Sequence, residues 1–246
     1  MNDILTICRT TCTRVLRTRS LYALLAAVLA LVAIAHLYTD LTAGRQKELM
    51  YDAGGALLTL VGILTALIVT FDIARDLREK VVLVLLSKPL GRAHYLAGKF
   101  LGVVWLVTLN LAILTAGIFW LLHWENGVWP WNFLQLALST WGAMVMVTAV
   151  GVVFVSVFNE LPAALLTLLT FVIGQSTEQL FHAGPRLVRL AGSLLPNFGL
   201  LDFKTEFGNG IAIPWLLVTV AVVYALVYSL AMLSLASLLF QRRDLA

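Results

Sequence analysis

Six stretches of this chain contain no Asp, Glu, Lys or Arg: about 20–39, 53–71, 100–122, 131–159, 161–177 and 207–241. A helix needs about 20 apolar residues to cross the ~30 Å hydrocarbon core, and each charge at its centre costs roughly 2.5–3.5 kcal/mol. The chain is 61% hydrophobic and 12% charged, whereas a soluble domain is about half apolar and a quarter charged. The sequence therefore predicts an all-α, polytopic membrane protein with six transmembrane helices.

The predicted organisation is a single transmembrane domain over residues 1–246, because six spans leave little room for anything else. The predicted spans lie at about 20–39, 53–75, 95–122, 132–158, 161–180 and 212–240. The fourth and fifth are too long together for one span. Asn159, Glu160 and Pro162 divide them, since Pro suits the first turn of a new helix.

Residues 1–19 form a basic amphipathic pattern, which predicts a helix lying in the membrane interface. Its apolar arc excludes the arginines, and Ile7 is the one apolar residue outside the arc. A frayed basic tail is the alternative. The arc contains Ile4, Leu5, Cys8, Cys12, Val15 and Leu16. Near the other end of the chain, residues 178–212 are amphipathic and interrupted by Gly-Pro and Pro-Asn pairs, which predicts short helices at the outer face.

The distribution of basic residues predicts the orientation. If the N-terminus is cytoplasmic, twelve of the 17 Lys and Arg residues fall on inside segments and five fall outside. Positive charge favours the cytoplasmic side of a membrane protein. Both termini are therefore predicted to be cytoplasmic.

The segment between the second and third predicted spans is too short in apolar residues to cross a bilayer. Charged residues are followed by six apolar residues, Val81–Leu86, and then by Ser87-Lys88-Pro89. The residue before a proline is pushed out of the helical region, so a short helix would end at Pro89. This pattern favours a helix at the cytoplasmic face that is open to a soluble partner.

This segment resembles the signature of ABC-2 type permeases in three places. The first is an acidic residue, Asp76; the second is Leu85-Leu86-Ser87-Lys88-Pro89 with Arg92; the third is Gly98-Lys99-Phe100-Leu101-Gly102. Weaker similarities lie at Leu195–Phe198 and at the C-terminal end, so the resemblance covers nearly the whole chain. The core is also similar to permeases that serve nitrous-oxide-reductase and multicopper-enzyme maturation. Many members carry Thr where this chain has Lys80-Val81, which leaves the subfamily open.

The resemblance implies the non-catalytic permease subunit of an ATP-driven exporter in a prokaryotic inner membrane. Two such subunits, identical or related, would assemble with cytoplasmic ATPases that hold ATP and Mg, so this chain would bind no cofactor itself. Membrane lipid and a periplasmic accessory protein are further implied partners; nucleic acid is not. The short helix would be the coupling helix. The implied ATPase-coupling residues are Asp76, Arg78, Glu79, Lys80, Leu85, Leu86, Ser87, Lys88, Pro89 and Arg92. For Arg92 and Lys99, anchoring at lipid headgroups is an equal alternative.

In this family the second and fifth spans line the subunit interface, which implies a pathway there. The residues this places near it are Thr59, Thr65, Thr70, Thr167, Thr170, Gln175 and Glu178. Threonine in a membrane helix often bonds its own backbone instead. The absence of ionisable residues at membrane depth suits an amphiphilic or lipid-like cargo rather than a proton or metal ion.

Two other classes of protein are alternatives. A secondary transporter or channel should show buried charges and related halves, and neither is visible in the sequence. An intramembrane enzyme would need a nucleophile and base or paired carboxylates within a span. His36, His94, His123 and His182 are isolated from such partners, so no metal or catalytic site is predicted.

Overall fold

The computed structural model describes residues 2–16, 46–78, 92–126, 130–176, 195–209 and 211–242. These residues form seven α-helices and one 3₁₀ turn, and the all-α prediction is confirmed for them because they contain no strand. The elements are α1 (Asn2–Leu16), α2 (Gln46–Arg78), α3 (Arg92–Asn126), α4 (Trp131–Val157), α5 (Glu160–Gln175), the 3₁₀ turn Gly199–Leu201, α6 (Lys204–Gly208) and α7 (Trp215–Arg242). The first predicted span and the predicted coupling helix lie outside the described residues.

Four of these helices are long and apolar enough to cross a membrane by length and composition. Their apolar stretches overlap the second, third, fourth and sixth predicted spans. The stretches are Tyr51–Asp76, Tyr95–His123, Trp131–Val157 and Trp215–Phe240. Helix α5 is apolar but has 16 residues, fewer than the roughly 20 that a span needs. The count of six spans therefore stays a prediction.

Helix α4 lies at the centre of the bundle. It packs against α2, α3, α5 and α7, and 78% of its most apolar stretch is buried. A helix that is apolar on all sides is typical of such a central position. Gly151 allows close contact, since a Cβ there would lie 2.8 Å from the Thr70 hydroxyl of α2 and 3.5 Å from the Thr167 hydroxyl of α5.

Helix α1 packs along α3 through a small-residue contact. A Cβ on Gly102 would lie 3.0 Å from the Cβ of Thr11, and the Cys12 thiol donates to the Gly102 carbonyl at 3.6 Å. Ile7 is 6% exposed. The sequence pattern placed Ile7 outside the apolar arc that contains Cys12, and in the structure both residues are buried. The face turned toward the bundle is selected by protein contacts, which include the polar Thr11.

Several helix ends meet at one end of the bundle, which we call the α1 end. The rings of Tyr95, near the start of α3, and Phe240, near the end of α7, stack with centroids 6.5 Å apart. Arg14 of α1 contacts Asp76 of α2 there. The C-terminal ends of α1 and α7 therefore lie at the same end of the bundle.

Candidate functional site

A cluster of charged side chains lies at the α1 end, and we call it the Asp76 cluster. The Arg14 Nη1 donates to Asp76 Oδ1 at 2.5 Å, and the Lys99 Nζ lies 2.5 Å from Asp76 Oδ2. Lys99 also donates to Asp72 Oδ2 at 3.1 Å, and the Tyr95 hydroxyl donates to Asp76 Oδ2 at 3.5 Å. Two carboxylates and two cations therefore balance one another across α1, α2 and α3.

Helical spacing explains how the cluster is assembled. Asp72 and Asp76 are four residues apart near the end of α2, and Tyr95 and Lys99 are four apart near the start of α3. Residues at this spacing share one face of a helix. Because α2 and α3 pack against each other, the two faces meet, and Arg14 completes the cluster from the last turn of α1.

The two cations of the cluster differ sharply in exposure. The side chain of Lys99 is 5% exposed and that of Asp76 is 3%, whereas that of Arg14 is 51% exposed. The hydrogen bond to Asp76 raises the pKa of the Arg14 guanidinium above its usual value, so Arg14 stays charged. A buried charge depends on its partner far more than a hydrated one does. Lys99 therefore depends on its carboxylate partners in the cluster more strongly than Arg14 does.

Asp76, which the family resemblance implied as a coupling contact, is enclosed in this cluster rather than turned outward. Lys99, for which the sequence left open ATPase contact or headgroup anchoring, pairs with Asp72 and Asp76 instead. Arg78 and Arg92 are the last residue of α2 and the first of α3. The other implied coupling residues, from Glu79 to Pro89, lie outside the described residues. Sequence reasoning missed Asp72 and Tyr95, although their spacing of four from Asp76 and Lys99 was the available signal.

The five threonines implied for the pathway each donate their hydroxyl to a backbone carbonyl four residues earlier on the same helix. Thr65, Thr70 and Thr167 are at most 2% exposed, so they face the interior of this chain. The bonds run to Gly55, Val61, Ala66, Ala163 and Leu166 from Thr59, Thr65, Thr70, Thr167 and Thr170. These bonds satisfy the hydroxyl donors locally, as such side chains often do.

A small cavity opens at the end of the bundle opposite α1. Thr59 and Gln175 contribute to its wall, together with Phe171, Phe198 and Lys204. Its volume is about 10 Å³, which is roughly the room that one water molecule needs. The cavity is therefore far too small for a cargo molecule in this conformation. Glu178 lies outside the described residues.

Two hydrogen bonds join α2, α3 and α4 in the middle of the bundle. The Asn110 amide donates to Thr65 Oγ1 at 3.1 Å, and the Trp141 indole donates to Thr108 Oγ1 at 2.8 Å. Such bonds between membrane helices are worth about 1 kcal/mol each. They fix how the three helices pack. Within the described ranges, no three His, Cys, Asp or Glu side chains come together as metal ligands would.

The two cysteines of α1 should differ in reactivity. Burial, with a smaller contribution from neighbouring Cys8, raises the pKa of Cys12 from 9.0 to about 11. The neutral thiol is thus favoured while Cys12 is packed, and that preference is fully present below about pH 9 and lost as the pH rises through 11. Because the thiolate is the nucleophile, we expect brief N-ethylmaleimide treatment at pH 7.5 to modify half-buried Cys8 before Cys12. Peptide mass spectrometry checks this; equal modification would contradict it.

Comparison with known protein families gives a match. The model of a family described as ABC-2 family transporter protein matches residues 12–184. The matched region begins within α1 and extends past α5, so it includes the Asp76 cluster and both helices that flank residues 79–91. A search of curated proteins finds no significant match.

Proposed function

The chain belongs to the ABC-2 family of transporter proteins, and we propose that it is the membrane-spanning permease subunit of an ATP-driven exporter. The family match over residues 12–184 carries this proposal. The four long apolar helices support it, because they suit a membrane subunit. In this proposal the prokaryotic inner membrane holds the chain with the α1 end at the cytoplasm.

The energy step is assigned to separate cytoplasmic ATPase subunits that bind ATP and Mg. The sequence contains no Gly-x-x-x-x-Gly-Lys-[Ser/Thr] loop, which is the motif that cradles nucleotide phosphates in P-loop enzymes. The permease itself would therefore bind no nucleotide. Its proposed partners are these ATPases, a second permease copy or homologue, membrane lipid, and a periplasmic accessory protein as in copper-enzyme maturation systems.

Residues 79–91 are proposed to form the coupling helix that enters a cleft of the ATPase. The Asp76 cluster supports this role, because it joins the last turns of α2 to the first turns of α3 on the two sides of that segment. A displacement of the segment would then move both helices together. Such a shift of packed helices is one way in which nucleotide binding biases a transporter between two states.

The pathway is proposed to form between two permease copies rather than inside one. Among the described residues, the cavity near Thr59 and Gln175 has a volume of about 10 Å³. Helix α5, by contrast, presents an exposed apolar face that includes Leu161 at 68%, Leu165 at 60% and Val172 at 57%. A pathway bordered by such a surface suits an amphiphilic or lipid-like cargo.

Replacing Leu85 and Leu86 together by Asp should detach the ATPase while the spans remain inserted. Two carboxylates placed in an apolar cleft without partners would each cost several kcal/mol. Affinity capture of the permease from detergent extracts, with immunoblotting of the co-expressed ATPase, measures the loss. The double variant Leu85→Met, Leu86→Met is the matched control, since it keeps apolar volume and should retain the ATPase. Undiminished recovery with the Asp variant would refute the coupling role.

A further inference from the structure

The two cations of the Asp76 cluster differ in solvent exposure, and this difference determines which of their contacts with Asp76 can break. Lys99 is 5% exposed at its side chain and touches both Asp72 and Asp76. Withdrawing Lys99 would strand charges inside the protein. The side chain of Arg14 is 51% exposed, so water can solvate its guanidinium when the contact with Asp76 breaks. If Arg14 leaves, Asp76 still has Lys99 beside it. The α1 contact can therefore break without leaving an unpaired buried carboxylate.

The contact between α1 and α3 around Gly102 is made of small groups. Thr11 and Cys12 pack against Gly102, which has no side chain of its own. The Thr11 hydroxyl donates to the Ile7 carbonyl of its own helix, so it makes no bond that would hold α1 to α3. Arg14 joins α1 to Asp76 of α2 by an ion pair.

We propose that Asp76 is a positioning residue for coupling: its contact with Lys99 keeps α2 and α3 joined throughout, and its contact with Arg14 holds α1 by an attachment that opens and closes. Movement of residues 79–91 would reach α2 and α3 as one unit, and α1 would dock on that unit in one state and leave it in another. The docking itself stands on the geometry of this chain. Its coupling to a transport cycle rests on the proposed function.

Cys12 provides a built-in reporter of docking. It lies against Gly102 and is 8% exposed, and the chain has only one other cysteine. In a Cys8→Ser background, N-ethylmaleimide labelling of the full-length permease in lipid nanodiscs reads out Cys12 alone. Arg14→Gln should speed this labelling by about fivefold, which corresponds to the roughly 1 kcal/mol upper range for a half-exposed ion pair. Arg14→Lys should restore slow labelling because it keeps the charge.

Two controls separate docking from folding. Lys204→Gln removes a positive charge at the opposite end of the bundle, where Lys204 pairs with Asp202, and should leave Cys12 labelling unchanged. Size-exclusion profiles of each variant report whether the bundle is intact. If Arg14→Gln labels Cys12 no faster than the parent protein, or if Arg14→Lys labels as fast as Arg14→Gln, the Arg14 attachment is refuted.

The opening step is tested with the ATPase present. Cys12 labelling is compared between the nucleotide-free complex and the complex trapped with ATP and vanadate, with ATP turnover measured in the same preparation. The proposal expects a severalfold difference between the two states. Equal labelling in a complex that hydrolyses ATP would overturn the opening step while leaving the proposed function intact. Failure of the ATPase to bind in the capture experiment would instead count against the proposed function.

Discussion

Replacing Lys99 by Met should destabilise the protein more than any other single change in the Asp76 cluster. The carboxylates of Asp72 and Asp76 would lose their buried cationic partner, and the half-exposed Arg14 would remain beside them. Removing one partner of a buried ion pair costs about 3–5 kcal/mol, because the charge that is left behind has lost its hydration. Met retains most of the length and apolar volume of the Lys stem, so the loss reports the charge rather than the packing.

The other members of the cluster predict a ranked series. Asp76→Asn should cost less than Lys99→Met, because Lys99 keeps Asp72 at 3.1 Å. Arg14→Gln should cost least, about 1 kcal/mol or less, because water already reaches Arg14. Thermal unfolding in detergent, followed by the fluorescence of the seven tryptophans, gives the order. Adding Asp72→Asn to Lys99→Met should recover part of the loss. An Arg14→Gln protein as unstable as Lys99→Met would contradict the asymmetry of the cluster.

The helices themselves could be predicted because the signal for them is strong and local. A charge-free window of about 20 residues has few stable solutions other than a helix when its surroundings are lipid. The break between α4 and α5 was also visible, since Asn159 and Glu160 interrupt the apolar run ahead of Pro162. The structure ends α4 at Val157 and begins α5 at Glu160. Helix packing could not be predicted, because nothing in the sequence around Gly151 indicates that two threonines from other helices lie against it.

The candidate site was harder to predict, and Asp76 shows why. The family resemblance singled out this residue from its place before the apolar run, and a charged residue next to a loop is ordinarily solvated. Its buried carboxylate has charged partners from two other helices, Lys99 of α3 and Arg14 of α1, and Arg14 is 62 positions away in sequence. No local pattern carries such a pairing. The burial of Ile7 has a related explanation, since a helical wheel shows which residues share a face but not whether that face meets lipid, water or protein.

The segment that leads into α6 packs against glycines on three helices at the end opposite α1. A Cβ on Gly55 of α2 would lie 2.9 Å from the Lys204 stem, and one on Gly142 of α4 would lie 3.2 Å from Leu201. At Gly174 of α5 the fit is tightest, because a Cβ would lie 2.5 Å from both the Pro196 carbonyl oxygen and the Phe198 ring. A hydrogen bond from the Phe198 N–H to the Gly174 carbonyl, at 3.0 Å, holds this contact.

Gly174→Val should therefore displace residues 195–209 from the bundle and lower the free energy of unfolding by about 1–3 kcal/mol. The Pro196 oxygen belongs to the backbone, so it cannot avoid the new side chain by a change of rotamer. Gly199→Val is the matched control within the same contact, because its Cβ would lie 3.2 Å from the side-chain oxygen of Asn197 and 3.5 Å from the nearest backbone oxygen, that of Gln175. Limited proteolysis of the 195–209 segment and tryptophan-detected unfolding measure both variants. If Gly174→Val resists proteolysis as well as Gly199→Val does, the glycine is not what seats the segment.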